Sequence, residues 1–110
     1  MDFESRIAAM RPDYLRRNQA RTAELHNSLA APLAADLAER LAAARLVLHD
    51  LAGTAPVMAL PEIGTLAKGA EDRLIALTQA PEPAAEAGMA AVRQDVADLL
   101  DLFATKLGEL

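Results

Sequence analysis

The feature that most constrains this chain is a run of apolar residues stepping by three and four: Leu33, Leu37, Leu41, Ala44, Leu48, Leu51 and Ala55. That spacing follows the 3.6-residue helical period and builds a seam along one face of a helix. A half-buried strand would need strict alternation, and no stretch of the chain alternates that way. Proline punctuates the seam. In the first turn of a helix its missing N–H needs no partner, but in later turns it removes a hydrogen bond and crowds the preceding carbonyl. The spacing therefore predicts a long helix opened by Pro32, with a kink or an end at Pro56.

The same reading divides the rest of the chain. Asp2 to Met10 forms a short first helix, and Pro12 opens a second with a narrow stripe of Leu15, Thr22, Leu25 and Leu29. Pro61 opens a helix that places Ile63, Leu66, Ala70, Leu74 and Leu77 on one face. Gly64 and Gly69 lie inside it, each costing about 1 kcal/mol against alanine; close backbone packing would account for both. PEPAAEAG, residues 81–88, reads as a linker, and the last helix runs from Ala84 or Met89 to Leu107. Its core stripe is Val92, Val96, Leu99, Phe103 and Leu107. Short loops between long helices imply antiparallel neighbours. The expected fold is all-α, an antiparallel up-down-up-down four-helix bundle with an extra short N-terminal helix, in one domain over residues 1–110.

Composition narrows the function classes. A chain of 110 residues supports one core. Hydrophobic residues make up 53%, mostly Ala and Leu, against 3% aromatic, a balance that favours helix throughout. With no cysteine there is no disulfide framework and no thiolate zinc site. No run of about 18 apolar residues occurs, so no membrane span is expected. The N-terminus MDFESRIAAM lacks the apolar core of a signal peptide, which makes a cytoplasmic location the expectation. The net charge of -5 argues against nucleic acid, whose phosphates need clustered Lys and Arg. No Gly-rich phosphate loop, nucleotide-binding motif or Ser/His/Asp arrangement appears, so an autophosphorylating kinase is excluded.

One residue stands out chemically. His49 shares its helix face with Arg45, Leu46, Ala52 and Gly53, its neighbours at three and four residues either way. The seam through Leu48 and Leu51 lies about 100° to 200° around the helix, so His49 belongs at the seam's edge, within reach of solvent. Gly53 clears the space one turn along, which lets another protein approach the ring. Imidazole is a nucleophile when neutral, and an ordinary pKa of about 6.5 keeps much of it neutral near pH 7. Arg45, one turn back, is the nearest cation for a phosphate. Glu71, on the next helix, is placed to orient the ring if the two helices are antiparallel neighbours. Against this stands the plain alternative that one exposed histidine in an Ala-rich helix is a surface residue. His26 reads as a solvated helix residue. Neither histidine has further ligands at helical spacing, so no metal site is expected. Arg16, Arg17 and Arg21 read as a solvated face, as do Asp95, Asp98 and Asp101.

Residues 49–71 resemble the histidine-containing phosphotransfer (HPt) domains of bacterial two-component phosphorelays. The hallmark of that family is His-x-Leu-Lys-Gly-Ser/Thr-Ala, then a turn, Pro-Glu-Leu and a helix ending in an acidic residue. Here the matching residues are His49, Leu51, Gly53, Thr54 and Ala55, then Leu60, Pro61, Glu62, Ile63, Leu66, Ala67, Lys68 and Glu71, without a gap. The resemblance implies a phosphorelay intermediary. His49 would accept a phosphoryl group from a receiver-domain aspartate and pass it to another response regulator. The implied partners are receiver domains of response regulators and hybrid histidine kinases, with magnesium on the receiver and no cofactor on this chain, which is expected to be a monomer. The implied docking surface comprises Arg45, Leu46, Ala52, Gly53, Val57 and Lys68. The chain departs from the pattern at Ala52, where the family has lysine, and at Pro56 and Ala59, where it often has a small or polar residue and glycine. The departure at Ala52 raises the alternative of an interaction module of the same fold that binds receiver or kinase domains without being phosphorylated. A homodimerising bundle ranks below both, because the seams are narrow.

Overall fold

Asp2 starts the first helix. Its Oδ1 accepts the Ser5 backbone N–H at 2.7 Å, satisfying a donor left unpaired at a helix N-terminus and holding the Asp2 carboxyl below its ordinary range. The computed structural model describes residues 2–30 and 37–110, apart from the side chains of residues 82–84. It contains α1 (Phe3–Ala30), α2 (Leu37–Thr54), α3 (Pro61–Leu77) and α4 (Glu82–Gly108), with no strand among the described residues. None of these helices is long and apolar enough to cross a membrane. The expected helix start at Pro32 and the seam position Leu33 lie outside the described residues.

Side-chain contacts fix the helix directions. Tyr14 meets Thr54 and Arg21 meets Asp50, so α1 and α2 run antiparallel. His49 meets Glu71 across α2 and α3, and Arg73 meets Asp95 across α3 and α4, where Lys106 also meets Glu62. With Gly64 of α3 lying against Ala52 and Pro56, the paired positions rise along one helix as they fall along the next in each case, and α1 packs on α4 to close the ring. The result is the up-down-up-down four-helix bundle, 52 Å long and 20 Å across.

Two segment boundaries differ from expectation. The short N-terminal helix and the helix after Pro12 are one element, since α1 runs through Pro12 without a break. Burial on both sides of the proline explains this: Ile7 precedes it in the core, Tyr14 and Leu15 follow, and one lost backbone bond does not outweigh that packing. Residues 81–88 are likewise mostly helix rather than linker. Extended Pro81 caps α4, and Pro83 falls in the first turn, where a missing N–H costs nothing.

The core is the expected set of stripes. Leu15, Leu29, Leu48, Leu51, Ile63, Leu74, Val92, Val96, Leu99 and Phe103 are all fully buried. Truncating one such leucine costs about 2–5 kcal/mol, whereas an exposed ion pair contributes about 1 kcal/mol or less, so the seams hold the bundle and the surface pairs trim it.

Proline acts as expected at Pro56, where α2 ends just before it. The chain then closes as a Schellman turn: Leu60 N–H donates to the Ala55 carbonyl at 2.9 Å, and Ala59 N–H to the Pro56 carbonyl at 3.1 Å. Arg11 Nε, from α1, donates to the Met58 carbonyl at 2.9 Å and so fastens this turn to the bundle. Ala59 carries the turn in the left-handed region, with φ 60°, where glycine is the favoured residue.

Candidate functional site

The α2–α3 pair builds the site. Gly64 lets the two segments approach closely: a Cβ there would lie 2.9 Å from Cγ and Cδ of Pro56 and 3.4 Å from the Ala52 carbonyl oxygen. Gly69 has no such role, because a Cβ there would meet nothing within 4 Å. Close packing thus explains the first glycine and not the second. Two turns after Gly64, on the same face, comes Glu71.

The side chain of Glu71 is only 4% exposed, while that of His49 is 75% exposed. Nδ1 of His49 lies 2.9 Å from Oε2 of Glu71. A carboxylate only accepts hydrogen bonds, so Nδ1 carries the proton in this contact. In the neutral ring the lone pair is therefore on Nε2, the nitrogen that Glu71 does not hold. The other carboxylate oxygen, Oε1, lies 3.7 Å from Nζ of Lys68, and Lys68 also donates to Asp72 Oδ1 at 3.0 Å. The contact with Asp72 first, and the Glu71 charge after it, hold the Lys68 ammonium above its ordinary pKa. His49, Glu71, Lys68 and Asp72 thus form one chain of polar contacts across α2 and α3.

Not all the residues expected at this surface come together. Arg45, Leu46, His49 and Glu71 line one groove of about 680 Å³, floored by Leu41 and Leu74. Leu46 is 68% exposed. Gly53 is exposed one turn beyond the ring, and a Cβ there would meet nothing within 4 Å. Val57, 59% exposed, lies past the end of α2 in the turn before α3, and Ala52 is half-buried against the core. Lys68 joins the site through Glu71 rather than through the groove.

The back of α2 is held by contacts that the spacing did not announce. Tyr14 Oη and Thr54 Oγ1 lie 2.7 Å apart, and Thr54 Oγ1 also donates to the Asp50 carbonyl at 2.9 Å. Burial, more than any neighbouring charge, raises the Tyr14 hydroxyl above its ordinary pKa. Arg21 Nη1 donates to Asp50 Oδ2 at 2.7 Å and to Asn18 Oδ1 at 3.1 Å. Arg21 is therefore paired across the helices, not simply solvated as expected, whereas Arg17 pairs with exposed Asp13 on its own helix. Asn18 is itself buried and donates to the Tyr14 carbonyl at 2.9 Å. Tyr14, Asn18 and Arg21 follow helical spacing, but nothing in the sequence says which helix they face. This network fixes the segment that carries His49 without touching the ring.

Asp95 also departs from the expected solvated face. It is half-buried between α3 and α4, not on the solvent face with Asp98 and Asp101. Arg73 Nε lies 3.1 Å from Asp95 Oδ2, near enough to attract but not aligned as a hydrogen bond. Burial pushes the Asp95 carboxyl up, and Arg73 only partly offsets this. Among the described residues, no three His, Asp or Glu side chains converge as a metal site. No protein-family model, no curated protein and no solved structure matches this chain.

Proposed function

We propose that this chain is a phosphoryl carrier of the HPt kind. It accepts a phosphoryl group on Nε2 of His49 from a receiver-domain aspartyl phosphate and hands it to the aspartate of a second receiver. The observation that carries the reading is the His49–Glu71 pair: an exposed ring whose Nδ1 is held at 2.9 Å by a buried carboxylate.

The chemistry follows from that pair. The Nε2 lone pair attacks phosphorus, an N–P bond forms, and the P–O bond to the aspartyl carboxylate breaks with its electron pair leaving on oxygen. The ring then carries a proton on Nδ1 and phosphorus on Nε2, hence a positive charge, which Glu71 balances. The reverse steps deliver the group to the second aspartate. The receiver brings the magnesium and its acidic pocket; this chain brings the nucleophile, its orientation and an open face at Gly53. The resemblance over residues 49–71 supports the same reading.

The alternative is a bundle of the same fold that binds receiver or kinase domains without being phosphorylated. It rests on Ala52, which leaves the family's lysine position without a charge. Incubation with phosphorylated receiver domains separates the two. The carrier gains an acid-labile, alkali-stable label that His49→Gln lacks. The binding module forms a complex and gains none.

A further inference from the structure

A phosphoryl group adds about two negative charges at neutral pH. At His49 it would enter a face that already holds Glu71 and Asp72, with alanine at position 52. Two cations flank the ring, and they are not equivalent. Lys68 is engaged, with Nζ 3.0 Å from Asp72 and 3.7 Å from Glu71. Arg45 is exposed and, among the described residues, has no ion pair. Its neighbours three and four residues away on α2 are Leu41, Ala42, Leu48 and His49, none of them acidic. It lines the same groove as His49 and Glu71. Helical side chains lie over the turn N-terminal to their own Cα, so the His49 ring lies over the turn that carries Arg45. A guanidinium stays charged and offers phosphate a planar fork of donors.

Building on the carrier function, we infer that Arg45 is the catalytic cation that meets the phosphoryl group on His49, in place of the lysine missing at position 52. Lys68 is a positioning residue that holds Glu71. The bundle reaches the same charge balance from one turn before the histidine rather than from the turn after it.

The test needs no protein partner. Phosphoramidate, a small-molecule donor, labels accessible imidazoles. The chain has two histidines, so every protein carries His26→Gln to leave His49 alone. Phosphorus NMR then follows the titration of the phosphoryl group in the His26→Gln parent and with Arg45→Met, Arg45→Lys or Lys68→Met added. A cation in contact favours the dianion, so Arg45→Met should raise the proton affinity of the group about three- to tenfold. Arg45→Lys should restore most of the difference, and Lys68→Met should change it less than Arg45→Met. Coincident titrations of the parent and Arg45→Met would overturn the assignment, as would a larger effect at Lys68 or a parent that takes no label. If phosphoramidate labels His49 but no receiver does, the carrier function fails while the titration still decides the role of Arg45.

Discussion

Nδ1 of the exposed His49 ring lies 2.9 Å from Oε2 of Glu71, a carboxylate whose side chain is only 4% exposed. This pairing turns a surface imidazole into one with a defined tautomer. Nδ1 donates, Nε2 keeps the lone pair, and the carboxylate stands ready to balance charge on the ring. A histidine that served only solubility would need no such partner.

Glu71→Gln tests that relationship. The amide can offer either an acceptor or a donor to Nδ1, so the tautomer is no longer dictated and the balancing charge is gone. A hydrogen bond to a charged group contributes about 1.5–3 kcal/mol, so transfer to His49 should slow tenfold or more. Nitrogen-detected NMR of the ring should show the Nδ1–H tautomer dominant in wild type and depleted in the variant. Unchanged tautomer populations would remove Glu71 from the mechanism.

Three backbone positions make opposite predictions. At Gly64 an added Cβ would lie 2.9 Å from the Pro56 ring, which has little room to give. Gly64→Ala should therefore destabilise the bundle by about 1–2 kcal/mol despite better helix propensity. Gly69→Ala meets open space and should stabilise by about 0.5–1 kcal/mol. Ala59→Gly relieves a left-handed backbone at φ 60° and should stabilise by about 1 kcal/mol. Urea midpoints read all three. A stabilising Gly64→Ala would refute the close-approach account of α2 and α3.

Gly53→Leu separates docking from folding. With nothing within 4 Å of a Cβ at this position, the variant should fold with a melting temperature within a few degrees of wild type. The added side chain stands one turn from His49 on the open face, so transfer from a receiver should fall at least tenfold. A variant that transfers at the normal rate would show that the partner does not use this face.

Asp95 gives a pH signature away from the site. Burial raises its folded-state pKa above the unfolded value, so the folded chain binds the proton more readily. Its ionised form is therefore disfavoured by folding. Between the ordinary carboxylate value and the raised one, stability from this group increases as pH falls. Asp95→Asn does not titrate. The stability of wild type relative to this variant should grow as pH falls from neutral through that window, as read from paired urea titrations. A difference that shrinks instead would mean that Arg73, not burial, dominates the carboxyl.

The helical period made most of the fold legible. Leu48, Leu51, Ile63, Leu74, Val92, Val96, Leu99 and Phe103 are buried where their spacing put them. Boundaries marked by proline were less legible, because the same residue can start a helix, end one or be carried within one. Pro56 ends α2 and Pro61 starts α3, but Pro12 is carried through α1 by core packing on both sides. The exposure of His49 followed from its angle to the seam. Its contact with Glu71 was legible only on the condition that α2 and α3 are antiparallel neighbours, a condition the fold meets. Tyr14–Thr54, Arg21–Asp50 and Arg73–Asp95 were not legible, since each depends on the lateral register of two helices, which helical spacing does not encode.

The most direct test of the carrier function is a pulse and chase with radiolabelled phosphate. A labelled receiver domain is mixed with wild type or His49→Gln, and a second, unlabelled receiver is then added. Label should leave the first aspartate, appear on wild type as an acid-labile, alkali-stable species and move on to the second receiver, with none on His49→Gln. Label retained by His49→Gln, or wild type that takes no label from any of a panel of receivers, would contradict it.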